Sequence, residues 1–235
     1  MKKTILFGIM SLLLTSSALA LDTGANSVYI DQTNADNSTV TITQLGYANK
    51  VGDPTSIMTP QFAIDGNNMN LTIYQDGMNN SITGNFIGGD STASISQTGS
   101  GNSTILNMGI FGSVAGQMNI GISGDNNSTT FNMATASSVD NYNYNLTITG
   151  NTNTVTSTMN SKYIQNNITI AGNGNSYTTL QNGANGTQNS PGHSITSSII
   201  GNNNTVSLSQ ISTTATNSIT LNVTGSGTST TIVQH

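Results

Sequence analysis

The sequence predicts an all-β fold, a parallel β-solenoid of about eight to nine strand-turn-strand coils in two parallel sheets, and three observations carry that prediction. A glycine recurs at positions 46, 77, 99, 124, 150, 172, 201 and 225, at steps of 31, 22, 25, 26, 22, 29 and 24 residues. Recurrence at steps of about 20 to 50 residues marks stacked supersecondary units and not one mixed fold. Three residues after these glycines stand Asn49, Asn80, Asn102, Asn127, Asn153, Asn175, Asn204 and, last, Thr228. On both sides of this Gly-x-x-Asn turn, apolar and polar residues alternate with the period of two that belongs to strands with one buried face.

Residues 1–20 stand apart from the repeat. Lys2 and Lys3 precede an apolar run from Ile5 to Leu14, and Ala18-Leu19-Ala20 supplies a small-x-small cleavage site. This is the pattern of a secretory signal peptide cut after Ala20. The run is shorter than the roughly 20 residues a membrane span needs. A single exported domain, residues 21–235, is therefore expected, secreted or at the cell surface and without membrane insertion.

The coils follow in order. A partial copy lies at Ser27 to Asn37. Six, four and two residues before each glycine come Val40, Ile42 and Gln44; Leu71, Ile73 and Gln75; Ala93, Ile95 and Gln97; and Met118, Ile120 and Ile122. Then come Tyr144, Leu146 and Ile148; Asn166, Ile168 and Ile170; Ile195, Ser197 and Ile199; and Ile219, Leu221 and Val223. After the turn the alternation resumes, and the sixth residue past the turn Asn forms a column of Phe86, Met108, Met133, Met159, Gln181, Gln210 and Gln234. A strand-turn-strand unit can be a hairpin that pairs with itself or an arch whose strands join two sheets. The repeat favours the arch, because like residues then stack coil over coil. Glycine accepts positive φ in the turn, and Asn tolerates the left-handed region and bonds nearby backbone. Stacked Asn and Gln side chains can satisfy one another along a column, so a buried amide costs little. The expected structural ladder is Gln44, Gly46, Asn49, Gln75, Gly77, Asn80, Gln97, Gly99, Asn102, Gly124, Asn127, Gly150, Asn153, Gly172, Asn175, Gly201 and Asn204.

Val40-Thr-Ile-Thr-Gln-Leu-Gly-Tyr-Ala-Asn49, Leu71-Thr-Ile-Tyr-Gln-Asp-Gly-Met-Asn-Asn80 and Ala93-Ser-Ile-Ser-Gln-Thr-Gly-Ser-Gly-Asn102 resemble curlin repeats, of pattern apolar-x-apolar-x-Gln-x-Gly-x-x-Asn. The resemblance is fullest over residues 27–105 and diverges over 118–235. It implies secreted subunits that polymerise into curli-type amyloid fibres used in adhesion and biofilm matrix. From Gly124 onward Ile122, Ile148, Ile170, Ile199 and Val223 replace the Gln before the turn, which predicts a drier second half. Curlin subunits carry an N-terminal targeting stretch before the first repeat, whereas this repeat starts at about Ser27. Insertions at Val51 to Ala63, Gly109 to Gly116 and Gln181 to Gly192 are expected to be loops holding Pro54, Pro60 and Pro191, where a missing amide donor harms no ladder.

Composition narrows function. Charged residues make up 6% of the chain, against about 25% in ordinary globular proteins. All acidic residues are Asp, and after cleavage only Lys50 and Lys162 are basic. Nucleic acid and anionic membrane surfaces are thus poor partners. Without Cys there is neither a disulfide staple nor a thiolate metal site. The Asp residues stand singly, and the Gly88-Gly89-Asp90 stretch does not recur as a calcium repeat would. His193 and His235 stand alone and are expected to be solvated. Met108, Met133 and Met159 are expected as core filling. Tyr74, Tyr142 and Tyr163 are candidates for exposed aromatic contacts. No catalytic, cofactor or metal residues are expected, and the chain is not expected to be an enzyme. Three readings remain: a self-associating fibre subunit joined through open end coils, with a nucleator or surface receptor as partner; a non-polymerising adhesin, appendage or virion solenoid that binds through its loops; and an ice-binding face. For the last, Thr41/Thr43 and Thr147/Thr149 do not extend into a regular array.

Overall fold

The computed structural model describes residues 13–15, 24–53, 62–108, 113–133, 142–183, 192–212, 214 and 216–235. Nearly all of the predicted leader lies outside them, as do Pro54, Pro60 and Pro191. The described chain is all β. One sheet runs β1 (Leu13–Thr15), β4 (Thr39–Tyr47), β7 (Asn70–Met78), β9 (Gly89–Ser100), β11 (Ser113–Ser123), β13 (Asn143–Thr149), β15 (Gln165–Ala171), β17 (Ser194–Ile200) and β19 (Ser218–Thr224). We call it sheet A. Sheet B runs β2 (Ser27–Val28), β5 (Lys50–Val51), β8 (Ser81–Ile87), β10 (Ser103–Met108), β12 (Ser128–Met133), β14 (Thr154–Asn160), β16 (Ser176–Gly183), β18 (Thr205–Ser212) and β20 (Ser229–Gln234). Beside its start, β3 (Ile30–Thr33) pairs with β6 (Phe62–Asp65), and β6 with β8.

Every pairing is parallel and steps from one coil to the next, so each Gly-x-x-Asn turn joins sheet A to sheet B. The arch is thereby established over the hairpin. Eight arches stack in seven steps from β4 to β19, a rod of about 34 Å at roughly 4.8 Å per step. Register puts like on like: Gly46 sits opposite Gly77, Gly77 opposite Gly99, and Gln75 between Gln44 and Gln97.

Inward residues of the two sheets meet in one core. Val40, Ile42, Leu71, Ile73, Ile95, Ile120 and Leu146 fill it from sheet A, and Ile82, Leu106, Phe131, Val155 and Leu208 from sheet B. Phe131 and Tyr144 meet edge to face across the sheets, with ring centroids 4.7 Å apart. Burial pushes the Tyr142 phenol up to about 12, and those of Tyr144 and Tyr177 are raised as well.

Several expectations need correction. Tyr142 is buried against Gly116 and offers no exposed ring, because its backbone is bonded to Gln117 of the preceding coil and its ring fills the space beside a residue that has no side chain. Tyr74 and Tyr163 are half-buried. His193 is fully buried rather than solvated: its Nε2 lies 3.3 Å from Asn182 O, and its Nδ1 accepts from Asn217 N at 3.4 Å. Desolvation lowers its pKa. The insertions are shorter than their sequence bounds, since Val51, Phe62, Ala63, Ser113 to Gly116 and Gln181 to Gly183 belong to strands. Backbone pairing with the coil above captures those residues despite the local loss of alternation.

Candidate functional site

The recurring features of the described residues are the side-chain columns and the two edges where they stop. The turn builds the first column. In the second, third and fourth arches its glycines, Gly77, Gly99 and Gly124, have φ of +118°, +112° and +126°. A Cβ on any of them would overlap the carbonyl of the next coil's glycine. Two residues on, Ala48, Asn79, Asn126, Thr152 and Asn203 adopt the left-handed region with φ between 55° and 57°. Two positive-φ residues turn the chain sharply and aim the following Asn inward.

That Asn is the rung of an unbroken ladder. The backbone N and Nδ2 of Asn80 both donate to Asn49 Oδ1 at 3.0 Å, and Asn80 Nδ2 also donates to Gly99 O at 2.8 Å. Asn102, Asn127, Asn153 and Asn175 repeat the arrangement. Asn204 N donates to Asn175 Oδ1, and Asn204 Nδ2 to Gly225 O. Each of these buried amides is satisfied by the coils on either side, which removes the penalty for burying it. At the last coil Thr228 N donates to Asn204 Oδ1.

The sequence reading missed the first rung. Asn26 Oδ1 accepts from Asn49 N at 3.0 Å, and Asn26 Nδ2 donates to Gly46 O at 3.1 Å. Its signal was the Asn26-Ser27 pair in phase with Asn49-Lys50; the glycine expected three residues earlier is Thr23, which hid it. A second, exposed ladder was also missed. Asp125 Oδ1 accepts from Ser100 N, Asn151 Oδ1 from Asp125 N, Asn173 Oδ1 from Asn151 N and Asn202 Oδ1 from Asn173 N, all at 2.7 Å. It runs opposite to the buried one: there the earlier coil accepts, here the later coil does.

The glutamines form two columns on different sheets. In sheet A, Gln44 Nε2 donates to Gln75 Oε1 and Gln75 Nε2 to Gln97 Oε1, both at 2.8 Å. Gln97 Nε2 then crosses to Thr104 Oγ1 in sheet B, which contacts Thr129 Oγ1 at 2.9 Å. After Ile122 takes the glutamine's place, the second half does not become dry. Asn166 Nδ2 donates to Gln181 Oε1, Gln181 Nε2 to Gln210 Oε1 and Gln210 Nε2 to Gln234 Oε1, at 2.7, 3.0 and 3.1 Å. Ser157 with Thr179, and Ser197 with Tyr177, add buried polar pairs. The two amide columns differ in place as well as sheet: Gln97, two residues before the turn glycine, faces Thr104, whereas Gln181, six residues past the turn Asn, faces Asn166 at the far end of the arch.

At the C-terminal edge, β20 carries Thr230, Ile232 and Gln234 half-buried, where the corresponding Val206, Leu208 and Gln210 of β18 are buried. At the N-terminal edge of sheet B, Val28, Ile30 and Gln32 are half-buried. Both edges are strand edges. Among the described residues no helix covers either, and no group of three or more His, Asp or Glu is placed to hold a metal ion. No family model, no curated protein and no solved structure matches the chain.

Proposed function

We propose that the protein is a secreted structural subunit that self-associates through its end coils into extracellular amyloid-type fibres, serving adhesion or a biofilm matrix as curlin-like subunits do. The observation that carries this reading is the pair of strand edges that no helix covers among the described residues, each presenting a half-buried inward face. An open strand edge is a template for another chain, and soluble proteins ordinarily blunt it with charge, Pro or a cap. Here β20 holds no charged residue and no Pro. Self-satisfying Asn and Gln columns of this kind are also what stabilise stacked identical strands in cross-β assemblies. The three Gln-x-Gly-x-x-Asn repeats support the curlin-like form of the reading.

The test is electron microscopy of residues 21–235, diluted from denaturant and held at micromolar concentration, with seeding of fresh protein by fragments of the product. Unbranched fibres that seed are expected. Persistent compact monomers overturn the reading.

A second reading is favoured by a specific observation. The connections at 109–112, 134–141 and 184–191 all leave from the ends of sheet B strands, on the rim opposite the Gly-x-x-Asn turns. Connections anchored on one rim suit an adhesin or appendage solenoid that binds through them. Deleting the 184–191 connection without loss of surface adhesion would count against it.

A further inference from the structure

The structure assigns a specific seam between copies: the β20 edge of one chain stacks on the β2–β3 edge of a second copy, joined by a Gln234–Gln32 rung. This inference rests on the fibre reading and names the register of its contact. Inside the chain, one residue column runs along sheet B. Gln32 is opposite Ile64, Ile64 is opposite Phe86, and the same register passes through Met133 and Met159 to Gln181, Gln210 and Gln234. The column carries apolar residues at Ile64, Phe86, Met133 and Met159 and is glutamine at both ends, Gln32 on one side and Gln181, Gln210 and Gln234 on the other.

Carrying the register one step past β20 sets Ser229 against Ser27, Thr230 against Val28, Ile232 against Ile30 and Gln234 against Gln32 of the second copy. Ser27 and Ser229 are the first residues of their strands, in phase with Lys50, Ser81, Ser103, Ser128, Thr154, Ser176 and Thr205. The inward positions on both edges are therefore like on like or apolar on small. Gln210 shows what the rung looks like inside the chain: its Nε2 donates both to Ser194 O and to Gln234 Oε1. Gln234 Nε2 donates to Ser218 O at 3.3 Å as Gln210 Nε2 does to Ser194 O, so on the Gln210 pattern its second hydrogen would go to Oε1 of the next copy's Gln32.

The Asn ladder is prepared in the same way. It begins at Asn26 and ends at Thr228, so a second copy continues it with Asn26 stacked on Thr228. Because every strand is parallel, each copy adds in the same orientation, a head-to-tail contact that does not close and so propagates. The only charged residue on the N-terminal strands is Asp31, which faces outward, and β20 has none, so no charge repulsion opposes the seam.

The test uses the absence of cysteine. A Q32C/Q234C double variant is assembled, oxidised with diamide, dissolved in denaturant and run on a non-reducing gel. Within one chain the two positions lie eight coil steps apart, about 38 Å, too far for a bond. Across the seam their Cα atoms would be about 4.8 Å apart, inside the span a disulfide needs. The expected result is a ladder of linked dimers and higher multimers, absent from each single variant and from D31C/Q234C, whose residue 31 faces outward. Fibres that form without the 32–234 link, or that link as well through residue 31, overturn the seam and leave the fibre reading standing. Failure of the unmodified chain to assemble overturns both.

Discussion

Gly150 and Gly225 occupy the same turn position in two coils, with φ of +127° and +133°, and differ in what lies beneath them. A Cβ on Gly150 would overlap the Gly172 carbonyl, whereas a Cβ on Gly225 would meet nothing nearer than Thr228 Oγ1 at 4.0 Å. Alanine at either site carries the same backbone strain, about 1–3 kcal/mol. At Gly150 that coil must also part from the next, stretching the bonds from Asn153 Nδ2 to Gly172 O at 2.8 Å and from Asn175 Nδ2 to Asn153 Oδ1 at 3.0 Å. With about 2 kcal/mol for each buried donor left without its acceptor, the excess for Gly150→Ala over Gly225→Ala is about 4 kcal/mol. For a chain of this size that is about 8–16 °C in thermal midpoint. The assay is circular dichroism melting of freshly diluted monomer at low concentration. Equal midpoints for the two variants would refute the claim that stacking, beyond φ, dictates glycine in this column. Gly225→Ala should also fold normally yet assemble poorly, since a second copy would cover that position.

Three further outcomes follow from the columns. Asn127→Ala removes a side chain whose Oδ1 accepts twice from Asn153 and whose Nδ2 donates to Asn102 Oδ1 and Gly150 O. It should cost about 3–5 kcal/mol in denaturant titration, against about 1 kcal/mol for Asn26→Ala at the edge. His193 is held neutral by burial, with Nδ1 accepting from Asn217 N, so its folded pKa is lowered. Its contribution is then fully present above about pH 6.5 and is lost as pH falls through and below that value towards the lowered folded one. The thermal midpoint should therefore decline from pH 7 to pH 5, and His193→Gln should flatten that decline. Gln234→Lys places a charge on the exposed edge strand; it should slow fibre growth at least tenfold in a seeded fluorescence assay while leaving the monomer's midpoint within about 2 °C.

The solenoid was legible in the sequence because stacking imposes its own period: a residue that touches its copy in the next coil must suit that copy. Gly46, Gly77 and Gly99 announce the turn, and Gln44, Gln75 and Gln97 announce a column, without any knowledge of the path between them. The arch over the hairpin was also readable, since only an arch puts equal positions over one another. What depends on the distance between sheets was not readable. The environment of His193, the crossing from Gln97 to Thr104 and the reappearance of the amide column at Gln181 all involve residues from two sheets. One-dimensional periodicity records which residues share a face and a column. It holds no record of which face lies opposite, and only the packed structure, by closing one sheet on the other, decided that and set the two edges in register.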